Sequence, residues 1–136
     1  MKEIHAFCHF CDDIRFEIGN KRSLIGIYTN KLIAEAIPTT LSRLCIEIII
    51  CLPIKNNIDY IKIISSLNSE VIGEMIISGA EASEMSKKTM EDDTVFEIVS
   101  LMSFSPLVVK EPSILEVSAM IGDKEIPAGR LHISQS

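Results

Sequence analysis

Apolar and polar positions alternate with period two along most of the chain, in short stretches bounded by Gly, Asn, Asp, Ser or Pro, the pattern of half-buried strands. Ile4 to Cys11 predicts a first strand with Ile4, Ala6, Cys8 and Phe10 on one face. Ile14, Phe16 and Ile18 then alternate with Arg15 and Glu17, Gly19-Asn20-Lys21-Arg22 supplies turn residues, and Leu24 to Thr29 completes a β-hairpin. Beyond Pro38, Arg43 to Leu52 predicts a long strand. Leu44, Ile46, Ile48, Ile50 and Leu52 share one face, while Cys45, Glu47, Ile49 and Cys51 share a second that is only partly polar, so this is a central strand covered on both sides. Ile58 to Leu67 and Glu70 to Ser78 flank Asn68-Ser69 as another hairpin. Residues 79–93 break the pattern: helix formers dominate around a thin apolar stripe of Ala82, Met85 and Thr89, which predicts one short helix or a loop. Alternation resumes over Thr94 to Phe104, continues after Pro106 and Pro112 through Leu115, Val117, Ala119 and Ile121, and turns at Gly122-Asp123-Lys124 into a last strand around Leu131 and Ile133.

Eight or nine short strands joined by hairpins, without strand-helix alternation, predict an all-β fold: an antiparallel β-sandwich, immunoglobulin-like or C2-like, formed as a single domain over residues 1–136. Composition sharpens this. The chain has 24 Ile and 6 Val against 10 Leu, an excess of β-branched side chains that pack well on pleated surfaces. The same surplus has a consequence, because an exposed apolar strand recruits another chain. A homo-oligomer that buries one sheet face or edge between subunits is therefore expected.

Charge and aromatic content remove whole classes of function. A net charge of −6 over 136 residues and a pI near 5.0 argue against a phosphate-backbone partner, and two tyrosines with no tryptophan give bases little to stack on. Mean hydropathy is high at +0.30, yet no run approaches the ~20 apolar residues of a membrane helix. No nucleic-acid or membrane partner is expected. His5, His9, Asp12 and Asp13 interrupt the apolar residues near the N-terminus, so no signal-peptide core is present and the cytoplasm is the expected location. In a reducing compartment Cys8, Cys11, Cys45 and Cys51 are free thiols or metal ligands.

The densest cluster of reactive side chains is His5, Cys8, His9, Cys11, Asp12 and Asp13. Cys8 and Cys11 have the Cys-X-X-Cys spacing that grips zinc from a turn, and His5, His9 or the distant His132 would complete the ligand set. Against zinc, no partner motif follows, and residues three apart on a regular strand point to opposite faces. A thioredoxin-like role needs a helix N-terminus that the pattern lacks. Asp12-Asp13 reads as a turn with Arg15 as its partner. Calcium would require that turn to meet the acidic run Glu91, Asp92 and Asp93, and solvated surface is the simpler reading of both. No nucleophile elbow, phosphate loop or zinc-protease motif occurs, which favours a protein that is not an enzyme.

Cys11-Asp12-Asp13-Ile14-Arg15, the Gly19-Asn20-Lys21 turn and Leu24-Ile25-Gly26-Ile27-Tyr28 resemble an uncharacterised family of small bacterial and phage-associated proteins. These share a Cys-Asp-Asp-X-Arg stretch and a Leu-X-Gly-X-Tyr strand. The likeness extends to Pro38 through Leu52 and to Ala128-Gly129-Arg130-Leu131, and departs at Cys8, His9 and the 79–93 segment. It implies a β-rich domain of unknown role. The function expected is a self-assembling or accessory protein-interaction module without a cofactor. The alternative is a zinc protein, hydrolytic in its strongest form, with Cys8, Cys11, His5 and His9 as ligands.

Overall fold

The computed structural model describes residues 4–53, 58–86 and 95–136. The alternating stretches become β1 (His5–Glu17), β2 (Lys21–Tyr28), β3 (Lys31–Ala34), β4 (Thr39–Leu41), β5 (Leu44–Pro53), β6 (Tyr60–Leu67), β7 (Glu70–Ser78), β8 (Val95–Phe104), β9 (Leu107–Val109), β10 (Ser113–Ile121) and β11 (Lys124–Gln135). One helix, α1 (Gly79–Ser86), follows β7. It opens on a capping box: Ser78 Oγ accepts from the Glu81 amide at 3.1 Å, and Glu81 Oε1 accepts from the Ser78 amide at 3.3 Å.

Two sheets face one another, one ordered β2-β1-β5-β8 and the other β3-β11-β10-β6-β7, while β4 and β9 form a separate small ladder. With β11, β10, β6 and β7 in the G, F, C and C′ places and β1, β5 and β8 in the A, B and E places, the order is that of an immunoglobulin-type sandwich. The all-β expectation holds, with three corrections among the described residues. There are eleven strands rather than eight or nine, because β3, β4 and β9 are too short to show a period. Residues Asp12 and Asp13 lie inside a continuous β1 rather than in a turn. Finally, β3 pairs with β11 in parallel, so the sandwich is not wholly antiparallel.

Turn chemistry explains the hairpins. Asn68 and Ser69, at φ +49° and +69°, are the two central residues between β6 and β7, the left-handed pair that matches strand twist. Asn68 also ties its turn to the next chain segment: its Oδ1 accepts from the Ile114 amide at 2.9 Å.

The inner faces bury a continuous core. Leu44, Ile46, Ile48, Ile50 and Leu52 of β5 lie opposite Ile61 and Ile63 of β6, Leu115 and Val117 of β10, and Leu131 and Ile133 of β11. The sheets come closest where β11 crosses β1, since a Cβ on Gly129 would stand 2.6 Å from Cys8 Sγ. Gly129→Ala is therefore expected to destabilise the fold by about 1–3 kcal/mol through overpacking. Cys8→Ala in the same background should restore part of the loss in urea unfolding, and strictly additive losses would contradict this packing.

Candidate functional site

Cys45, Glu47, Ile49 and Cys51 point away from the core, yet Cys45 and Glu47 are only 1% and 3% exposed although no second sheet covers them among the described residues. Their cover is the far half of the β1–β2 hairpin. Strand β1 pairs with β5 as far as Cys11, then leaves it and continues with β2 alone to the turn at Gly19-Asn20. Gly26, at φ +70°, lies beside Asp12, whose carboxylate occupies the space a Cβ would need. Asp12 Oδ1 accepts from Tyr28 Oη at 2.5 Å, so the Asp-Asp stretch and the Gly-X-Tyr strand of the sequence form one unit at this departure point.

The outer face can be read in rungs across β1, β5 and β8. Cys11 partners Cys45, which partners Ser103; His9 partners Glu47, which partners Leu101. Phe7, Ile49 and Val99 form the next rung, then His5, Cys51 and Glu97. Glu47 is the centre of polar contact. Its Oε1 lies 3.0 Å from His9 Nδ1, and its Oε2 accepts from Arg22 Nε, which the hairpin brings back from β2. A carboxylate taken from water needs such partners, and with them Glu47 anchors the hairpin to the sheet. On the neighbouring rung Arg43 Nε donates to Cys45 Sγ at 3.3 Å and lies 3.3 Å from Asp13 Oδ1. Arg15, the partner expected for the aspartates, lies instead 3.9 Å from Glu17.

Between the hairpin and β8 runs a groove with two pockets that share Phe16 and Leu101. One, of about 170 Å³, has Cys45 and Arg43 in its wall; the other, of about 350 Å³, runs beside Arg22 and Val99. Phe7 packs edge-on against His9, with ring centroids 6.0 Å apart.

The four residues named as zinc ligands divide between faces. His5, His9 and Cys11 follow the outer face, while Cys8 turns inward between Ile48 and Gly129. His132 is on β11, in the other sheet. Among the described residues no three His, Cys, Asp or Glu side chains converge as a metal site would require. The acidic run Glu91, Asp92 and Asp93 lies outside the described residues. Sequence reasoning passed over Glu47, Arg22 and Arg43, although a lone charge within an Ile-rich strand is itself a signal that a partner must reach it.

Among the described residues no helix is long and apolar enough to cross a membrane. No curated protein and no solved structure matches the chain. A family profile described as a family of unknown function, DUF6941, matches residues 6–134, nearly the whole length, and the chain belongs to that family.

Proposed function

We propose that this domain works by association, pairing two copies through the edge of β8, beyond which no strand lies among the described residues. The observation that carries the reading is the edge itself. β8 is ten residues long, ends its sheet, pairs with β5 without a bulge, and holds one charge, Glu97, and no proline. Natural edge strands are usually blunted by charge, proline or a bulge. The other long edges are better protected: β2 opens on Lys21 and Arg22, and β7 carries Glu70 and Glu74.

A second copy suits this edge because the strand is complementary to itself about Ser100. Direct antiparallel partners share a face, so a two-fold axis at Ser100 sets Val99 against Leu101, Ile98 against Met102 and Phe96 against Phe104 of the other copy. Glu97 then falls opposite Ser103 rather than its own counterpart. On this reading the protein is an accessory module without catalysis, at work in the cytoplasm, where its thiols stay reduced, among the small bacterial and phage-associated proteins it resembles. Sedimentation across a concentration series is expected to show a dimer. Val99→Lys, an exposed change that opposes Leu101 with a charge, should give a monomer with unchanged circular dichroism. A wild-type monomer at every concentration, or a Val99→Lys variant as dimeric as the parent, would sink the reading.

A further inference from the structure

The rung where β1 leaves β5 joins two cysteines on a single face. Cys11 and Cys45 are direct register partners, both buried and both unbridged. Direct antiparallel partners have Cα atoms about 4.5 or 5.5 Å apart, inside the range of about 4.4–6.8 Å that a disulfide spans. The other two cysteines have no such neighbour. Cys8 turns inward beside Gly129, and Cys51 partners His5 and faces Glu97.

The geometry points to a peroxide-responsive dithiol site in which Cys45 is oxidised first and Cys11 closes a disulfide at the base of the hairpin. Of the two sulfurs, Cys45, 1% exposed, is the one whose residue lines a cleft, of about 170 Å³ beside Arg43 and Ser103, and that cleft is the route assigned to a small oxidant. Arg43 Nε donates to that same sulfur at 3.3 Å and holds it at the wall of the cleft. Asp13 holds Arg43 in place from the β1 side. Cys11 lines neither pocket of the groove. Burial, then the neighbouring Cys45, Glu47 and Asp12, push its thiol up to about 11, so it stays protonated and waits for an electrophilic partner.

The chemistry balances with hydrogen peroxide as oxidant. Cys45 gives up its proton and its sulfur attacks one peroxide oxygen: an S–O bond forms, the O–O bond breaks, and the hydroxide that leaves takes up that proton to become water. The Cys11 sulfur then attacks the Cys45 sulfenic acid: the S–S bond forms, the S–O bond breaks, and hydroxide leaves with the Cys11 proton as a second water. Two thiols lose two electrons and peroxide gains them. The bond ties β1 to β5 at the point where the arm departs, so oxidation locks the hairpin against the outer face.

The test treats the folded protein with hydrogen peroxide, blocks remaining thiols under denaturing conditions and maps unreduced peptides by mass spectrometry. A Cys11–Cys45 linked peptide is expected in most molecules, with Cys8 and Cys51 carrying the blocking group, and all four thiols should return after dithiothreitol. In Cys11→Ser a sulfenic acid should accumulate on Cys45 and be trapped by dimedone. Four blocked thiols in the oxidised wild type, or oxidation of Cys8 or Cys51 ahead of the pair, would overturn the proposal without any variant needing to fold. Trapping at a cysteine other than Cys45 would overturn the assigned order.

Discussion

Arg22→Ala is expected to lower the stability of the fold by roughly 2–4 kcal/mol in denaturant unfolding, more than an exposed ion pair is worth. The Glu47 side chain is 4% exposed and its partners are His9 and Arg22. Removing Arg22 leaves a buried carboxylate with His9 alone, and His9 is itself 42% exposed. The lower part of the usual range for broken buried pairs applies because Arg22 remains 30% exposed and water can enter where it stood. The decisive comparison is the double variant. Glu47→Met with Arg22→Ala replaces the pair by apolar volume, and most of the lost stability should return, because the burden lies in the stranded charge rather than in the missing contact. A loss of only about 0.5 kcal/mol for Arg22→Ala, the scale of surface pairs, would mean that Glu47 is hydrated and that the hairpin does not seal the outer face.

That contact also marks the limit of what the sequence could say. Strand β10 was legible because buried and half-buried positions alternate from Ser113 to Ile121, and β5 because Leu44, Ile46, Ile48, Ile50 and Leu52 fall in phase; β6 and β7 keep the period only in part, with a register shift at Ser65-Ser66, and were legible from the turn residues between them. The Asn68-Ser69 turn followed from residue chemistry and is confirmed by two positive φ angles. The short β3, β4 and β9 carry no period to detect: β3 forms on the edge of β11, and β4 and β9 form by pairing with each other. At Asp12-Asp13 local turn propensity lost to tertiary context: the Asp12 carboxylate has Gly26 beneath it and Tyr28 to accept from, so the chain stays extended.

The candidate site was less legible for a different reason. Sequence density drew attention to His5, Cys8, His9 and Cys11, yet the alternation that predicts the strand also separates Cys8 from Cys11. The groups that do meet come from far apart, His9 and Glu47 being separated by 38 in sequence number and Arg22 and Glu47 by 25. Only the register of β1 on β5 and the return of the hairpin bring them together. The same register pairs Cys11 with Cys45, so the carboxylate anchor and the thiol pair are adjacent consequences of one strand alignment.

Alkaline pH is expected to unfold the protein through groups that burial keeps neutral. Burial between the sheets pushes the Cys8 thiol from its usual 9.0 up to about 12. Burial first, and then Cys45 and Glu47, raise Cys11 to about 11. Burial, with the Asp12 hydrogen bond, raises Tyr28 from 10.0 to about 12. In the unfolded chain these groups release their protons near pH 9 to 10, while the folded protein keeps them until pH 11 to 12. Within that window the unfolded state binds fewer protons, so stability falls as pH rises; it is fully present below pH 9 and is lost by pH 12. For Cys8 alone the span from 9.0 to about 12 corresponds to on the order of 4 kcal/mol. Cys8→Ala removes that contribution. The variant starts from lower stability at neutral pH because a cavity is left beside Gly129, yet its stability should decline less steeply between pH 9 and pH 12 than that of the parent. Urea midpoints measured at each pH give both curves, with phenolate absorbance reporting Tyr28 separately. Parallel curves for parent and variant would place the Cys8 thiol in water rather than between the sheets, and the close approach of β11 to β1 would fall with it.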